Sequence, residues 1–158
     1  MILVIVAAGR GSRLQDKTKN VPKCMVNINN KSIIDYNLDF IKKFKQTVII
    51  TGYKSYILEN KFKKYKKIKI IKNPNYLSTN MVYSFFCAYK FLKKEKKDVM
   101  MCYSDIVFDK NLFNISIKKS SFIFAKKDWL QLWKKRMNIS YIKRDAKGFF
   151  TKKNKLIS

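Results

Sequence analysis

The chain has 158 residues, 47% of them hydrophobic, enough to bury one ordinary core and too few to promise two, so a single domain over residues 1–158 is expected. Its 36 basic and 10 acidic residues give a net charge of +26, yet the lysines are spread over nearly every segment after residue 40. That reads as a solvated lysine-rich surface or, as the alternative, a field that attracts anionic substrates, with no specific nucleic-acid partner expected. The absence of histidine removes the usual general base, the usual nucleophile activator and the commonest zinc ligand, leaving chemistry to Lys, Arg, carboxylates and a hard metal.

No apolar run approaches the roughly 20 residues of a membrane-spanning helix. Cys24, Cys87 and Cys102 form neither a close pair nor a metal-knuckle spacing. A soluble, reduced, cytoplasmic protein is the expectation.

In chain order, Ile2 to Ala8 is a continuous Val- and Ile-rich run, the pattern of a strand covered on both faces in a parallel sheet. The turn Gly9 to Arg13 ends it. From Ser32 to Phe44 the residues Ile33, Ile34, Leu38, Ile41 and Phe44 recur at helical spacing, with Ser32 placed as a cap and lysines at the far end, predicting one crossover helix. Thr47 to Thr51 is a second strand closed by Gly52. Leu58, Phe62 and Tyr65 mark one face of a second helix, and Ile68 to Ile71 is a third strand. Asn73-Pro74-Asn75-Tyr76 is a turn by composition, and a helix follows from Asn80 to Leu92. Val99 to Tyr103 is an apolar strand running into Ser104 and Asp105. Phe122 to Ala125 reads as one more strand, and Gly148 to Ser158 as a hairpin turning near Lys153-Asn154. Alternating strands and helices predict an α/β fold, a mostly parallel central sheet flanked by helices.

Ligands of such sheets sit outside the carboxyl ends of the strands, which directs attention to Gly9–Arg13 and to Ser104-Asp105. Gly9-Arg10-Gly11-Ser12-Arg13 combines glycines, where backbone can approach a ligand, with guanidinium groups suited to phosphate oxygens. Position 14 is leucine, against a dinucleotide fingerprint, and the Gly-Lys-Ser/Thr ending of a P-loop is missing. What remains is a triphosphate loop or a plain surface turn. Proline fixes the backbone just before Lys23, so this lysine is aimed by a stiff turn.

An apolar strand, a Gly-x-Gly-x-Arg loop and Pro22-Lys23 some ten residues on resemble the sugar-phosphate nucleotidyltransferase superfamily, closely over residues 2 to 26. The resemblance implies a Rossmann-like nucleotidyltransferase fold, with nucleotide held by Ala7, Ala8, Gly9, Gly11, Ser12 and Arg13. It gives Arg13 the triphosphate and Lys23 the α-phosphate. Asp105, a carboxylate ending an apolar strand, falls where the family places a ligand for Mg2+, with a helix or turn cap as the plainer alternative. The family's second metal ligand comes from a later strand; Asp145, the only acidic residue beyond Asp128, is not assigned.

Asn73-Pro-Asn-Tyr76 followed by Ser78-Thr79-Asn80 and Tyr83-Ser84 looks like the choline-phosphate and phosphonate cytidylyltransferase branch. The branch lays this stretch against the nucleotide, implying roles for Asn80 and Ser84; an N-cap role for Thr79 or Asn80 is the plainer alternative and is compatible with it. Asp128-Trp129 through Trp133 to Arg136 resembles the branch's acceptor pocket, which makes Trp129, Trp133 and Arg136 acceptor-binding candidates, against a core role for the two tryptophans. The family's Asp-Ala-Glu is here Asp145-Ala146-Lys147, a charge reversal bearing on acceptor identity and metal binding. The chain also stops before the family's catalytic domain does, so an incomplete C-terminus is expected.

The implied activity is Mg-dependent transfer of CMP from CTP to a small phosphorylated or phosphonylated acceptor: phosphocholine, an aminoalkyl phosphonate, or a phosphorylated amino-acid amide of the kind that decorates surface polysaccharides. Such an acceptor oxygen is already an anion, so the missing histidine is no obstacle. A sugar-1-phosphate nucleotidyltransferase is the alternative within the class. A non-catalytic nucleotide-binding protein or a basic RNA-associated module is the alternative outside it.

Overall fold

The computed structural model describes residues 1–109, 121, 123, 128–135, 137–145, 150–152 and 155–157. The chain divides into two compact units, Met1–Ser116 and Ile117–Ser158.

The first unit is built on a parallel four-stranded sheet. β1 (Ile2–Ala7) is fully buried and pairs with β4 (Gln46–Thr51) on one side and β6 (Val99–Tyr103) on the other, while β5 (Ile68–Lys72) lies outside β4. Ile5 sits opposite Ile49 in β4 and Cys102 in β6. Burial on both faces explains why β1 reads as an unbroken apolar run. The odd-numbered Leu3, Ile5 and Ala7 pack with Phe40, Ile41, Leu58 and Phe62, and the even-numbered Ile2, Val4 and Val6 pack with Ala88, Phe85 and Phe91. The expected α/β architecture is therefore the one observed.

The predicted helix from Ser32 to Phe44 is two short helices, α1 (Ile33–Tyr36) and α2 (Leu38–Lys42), preceded by a small ladder of β2 (Asn27–Ile28) and β3 (Lys31–Ser32). The break is at Asn37, which is 3% exposed. Its carboxamide donates to the Ile106 carbonyl at 2.6 Å and accepts from the Phe108 amide at 3.0 Å, tying the segment after Asp105 to the helix pair. Ser32 does occupy the N-cap position, but its hydroxyl donates to the Asp35 carboxylate instead of capping a backbone amide.

Asp35 also meets Lys61 of α3 (Ser55–Phe62) at 2.6 Å. Burial works to raise the Asp35 pKa, but the bonds from Lys61 and Ser32 outweigh it and hold the carboxyl below its ordinary value. A depressed folded pKa contributes stability that is present above the unfolded value, about 3.9, and is lost as pH falls through the folded value. Asp35→Asn is expected to cost less than about 1 kcal/mol at neutral pH. The gap from the parent protein, followed by denaturant melts, should close as the pH falls below the ordinary carboxylate range.

The predicted helix from Asn80 to Leu92 is likewise two, α4 (Met81–Phe86) and α5 (Tyr89–Glu95). The Cys87 amide bonds the Tyr83 and Ser84 carbonyls, and the Ala88 amide bonds Phe85, so the last turn of α4 tightens and redirects the chain. In the predicted second helix, Leu58 and Phe62 are buried. Tyr65 lies past the helix end, 40% exposed, and packs edge-on against Phe62.

In the second unit, α6 (Trp129–Lys134), α7 (Ile139–Asp145) and an antiparallel pair of β7 (Phe150–Lys152) and β8 (Lys155–Ile157) are described. The two strands match the expected hairpin; its turn at Lys153-Asn154 and the strand expected over Phe122 to Ala125 lie outside the described residues. Among the described residues no helix is long and apolar enough to cross a membrane.

Candidate functional site

The strand order places the chain's reversal of direction between β1 and β6, since β4 and β5 build outward on the opposite side. A crevice opens at such a switch point, outside the carboxyl ends of the strands. Here it is a cleft of about 280 Å³. Ala7, Ala8, Gly9 and Gly11 line it from the end of β1, and Tyr103, Ser104 and Asp105 from the end of β6. Lys23 enters from the following turn, and Tyr76, Thr79, Asn80, Met81 and Ser84 form the wall between β5 and α4.

Lys23 is held as its sequence suggests. Pro22 is extended at φ −65°, ψ 152°, and starts a single 3-10 turn, Lys23–Met25, closed by the Met25 amide on the Pro22 carbonyl at 2.8 Å. Gly11 has φ 71° and ψ 35°, and a Cβ built there would lie 3.0 Å from Lys23 Cβ and 3.3 Å from Thr18 Cγ2. The glycine is thus needed both for its left-handed backbone and for the close passage of the lysine stem. Behind Lys23, Cys24 is 1% exposed, and burial pushes its thiol up to about 12, against the smaller lowering effect of its hydrogen bond with Ser104.

The Lys23 ammonium reaches the Asp105 carboxylate at 2.5 Å, with the two side chains 40% and 30% exposed. The two charged side chains that the sequence singled out for phosphate and metal therefore share one point of the cleft. Asp105 is the only carboxylate among the described lining residues, and no cluster of three or more metal-ligating side chains occurs among the described residues. One carboxylate open to the cleft fits Mg2+, which keeps several waters and commonly takes one or two carboxylates together with substrate phosphates.

The loop between β1 and Lys23 is fastened from the β4 side. The Tyr53 amide donates to the Ala8 carbonyl at 3.0 Å, and its hydroxyl donates to the Lys19 carbonyl at 2.7 Å. Ser12 and Arg13 do not line the cleft. Ser12 lies in a neighbouring stretch of the loop that forms a second hollow, of about 380 Å³, with Arg10, Gln15, Asp16, Thr18 and Lys19; Arg13 is exposed and lines neither. Ser12–Thr18 winds as 3-10 turns, entered through the left-handed Gly11 and kinked at Gln15 (φ 46°, ψ −119°).

On the α4 wall, Asn80 is the N-cap, its side-chain oxygen accepting from the Tyr83 amide at 3.0 Å, and it lines the cleft as well. Ser84 is 4% exposed and also lines it. Ser104 lines the cleft beside Asp105, at the strand end singled out from the sequence, whereas the lining by Tyr76, Met81 and Tyr103 escaped the sequence reading. Gly52 held the signal for Tyr76: a Cβ there would lie 2.5 Å from Tyr76 Cβ and 2.7 Å from the Ala8 carbonyl, so the glycine lets Tyr76 settle over the strand ends.

In the second unit Trp129 and Trp133 do share a helix face, their rings edge-to-face with centroids 5.6 Å apart. Trp129 is 39% exposed and Trp133 half-buried. Arg136 lies outside the described residues, and Asp145 is described only as the last residue of α7.

Residues 2–124 match the nucleotidyl transferase family, and the chain belongs to it. It is 40% identical over 143 residues to the CTP:phosphoglutamine cytidylyltransferase of Campylobacter jejuni, covering 86% of this chain and 56% of that protein. It is 30% identical over 124 residues to the choline-phosphate cytidylyltransferase of Streptococcus pneumoniae, covering 77% of this chain and 52% of that one. A solved structure of the CTP:phosphocholine cytidylyltransferase from Streptococcus pneumoniae aligns with a TM-score of 0.61 at 30% identity, over 71% of this chain and 48% of that chain. The inositol-1-phosphate CTP transferase from T. maritima, at 19% identity and a TM-score of 0.62, shares the fold. The chain thus spans about half the length of the relatives it matches.

Proposed function

We propose that this chain is the nucleotide-binding portion of a cytoplasmic cytidylyltransferase that transfers CMP from CTP to a small phosphorylated or phosphonylated acceptor. The observation that carries the reading is the convergence of Gly9, Gly11, Lys23 and Asp105 on one cleft at the switch point of the sheet. Three relatives of at least 30% identity are named as cytidylyltransferases, for phosphoglutamine or for choline-phosphate, which supports cytosine as the base. The relative at 40% identity, named for phosphoglutamine, favours a phosphorylated amino-acid amide as acceptor over phosphocholine.

In the reaction an acceptor oxygen forms a bond to the α-phosphorus of CTP as the bond to the bridging oxygen of the β-phosphate breaks, and pyrophosphate leaves with the electron pair. The acceptor oxygen is already anionic, so no base is needed. The backbone from Ala8 to Gly11 approaches the nucleotide closely. Lys23 turns from Asp105 to the α-phosphate, neutralising charge that grows in the transition state. Asp105 would hold Mg2+, which supplies charge neutralisation to the triphosphate. Trp129, Trp133 and Arg136 are the acceptor-side residues of this proposal, while Arg13, exposed and outside the cleft lining, is given no triphosphate contact in it.

The test is pyrophosphate release from each of the four NTPs with magnesium, against phosphorylated glutamine, phosphocholine, 2-aminoethylphosphonate and sugar 1-phosphates. Release that requires CTP and an amide- or amine-bearing acceptor is expected. Release with a sugar 1-phosphate alone would reassign the acceptor class. No nucleotide binding at all would overturn the reading.

A further inference from the structure

Asn73 lines no part of the cleft, yet it organises the wall that does. It follows β5, is 1% exposed, and its amide donates to the Thr51 carbonyl at 2.7 Å, which anchors it to the end of β4. Its side-chain oxygen accepts from the Asn75 amide at 2.9 Å. A backbone amide can only donate, so the orientation of this carboxamide is settled by its partner: the oxygen faces Asn75, and the nitrogen must face the other way. That nitrogen donates to Thr79 Oγ1 at 2.9 Å and to Ser84 Oγ at 3.0 Å.

The consequence passes to the two hydroxyls. Each accepts one hydrogen bond from Asn73, and each spends its own hydrogen on a backbone carbonyl, Thr79 on Asn75 at 2.7 Å and Ser84 on Asn80 at 3.1 Å. A hydroxyl has one hydrogen and two lone pairs. With the hydrogen and one lone pair engaged, both oxygens, each belonging to a residue that lines the cleft, have only a lone pair left.

We infer that Asn73 is a positioning residue that locks Thr79 and Ser84 as hydrogen-bond acceptors, so that this wall selects nucleotides presenting N–H or O–H donors. The inference rests on the cleft being the nucleotide site. The donor has two sources, the ribose 2′-hydroxyl or the exocyclic amino group, and analogues separate them: dCTP lacks the 2′-hydroxyl, and UTP carries a carbonyl oxygen where CTP has its amino group.

The experiment measures equilibrium affinity of the full chain for CTP, dCTP and UTP by calorimetry, with magnesium. The parent protein should bind CTP about tenfold more tightly than the analogue missing the donor that is read, the effect of roughly one to two hydrogen bonds. Asn73→Ala should bring that ratio close to one. The double variant Thr79→Val/Ser84→Ala should do the same, and adding Asn73→Ala to it should change the ratio no further, because residues acting through one another are not additive. A purely structural role for Asn73 would weaken all three nucleotides alike. A ratio near one for both analogues in the parent protein, a ratio that survives Asn73→Ala, or additive effects would each overturn the inference while leaving the nucleotide site standing. Should Asn73→Ala fail to fold by circular dichroism, Asn73→Asp, which keeps the side-chain volume but removes the donors, takes its place; if neither folds, survival of the ratio in the double variant overturns the inference and its loss supports it. A parent protein that binds none of the three overturns the proposed function and this inference with it.

Discussion

Lys23→Ala should leave nucleotide binding within a few-fold of the parent protein and lower the transfer rate by about 10²–10³-fold, the usual effect of removing one preorganised charge stabiliser. Asp105→Ala should be at least as damaging, because it removes the only carboxylate among the described lining residues and strips Lys23 of its partner. The pair makes the two variants distinguishable. In the parent protein without ligand, Lys23 and Asp105 neutralise one another at 2.5 Å. Asp105→Ala should therefore flatten the dependence of CTP affinity on magnesium, while Lys23→Ala should preserve it and frees the carboxylate for the cation. Single-turnover transfer and calorimetry at several magnesium concentrations read the two effects separately. Near-normal rates in both variants would sink the assignment of this cleft as the place of phosphoryl chemistry.

What the sequence made legible follows from how local each signal is. β1 and β4 could be read because a strand covered on both faces is an uninterrupted apolar run, and β6 because Val99 to Tyr103 runs straight into a lone serine and aspartate. Pro22-Lys23 was legible because proline dictates backbone without help from distant residues. The helix breaks were not legible. Asn37 sits on a good helical pattern, and only its bonds to Ile106 and Phe108, 69 and 71 residues away, explain why it interrupts the helix. The same holds for Asn73, whose composition announces a turn, while its reach to Ser84 depends on how α4 docks. Ser12 and Arg13 show the reverse case: residues can be adjacent in sequence to the cleft and still lie outside its lining, because the chain enters 3-10 turns directly after Gly11.

The glycines offer the second large effect, because space, and not sequence, separates those that serve the fold from those that serve the ligand. Gly52→Ala should be strongly destabilising. Its Cβ would fall 2.5 Å from Tyr76 Cβ and 2.7 Å from the Ala8 carbonyl, and neither is the far end of a flexible side chain. Relief requires moving the backbone of β1's end or of the 73–76 turn, so a loss of about 2–3 kcal/mol is expected, read as a lower denaturant midpoint. Gly9→Ala should do the opposite. A Cβ there meets nothing within 4 Å, so the melting curve should hardly move. Yet Gly9 lines the cleft, and under the proposed function the added methyl stands where the nucleotide would come close, so CTP affinity should fall about tenfold or more. A stable Gly52→Ala protein would mean that Tyr76 is not seated against the strand ends. A Gly9→Ala protein that kept both its stability and its affinity for CTP would place the nucleotide away from the end of β1, and with it the whole geometry through which Lys23 and Asp105 are proposed to act.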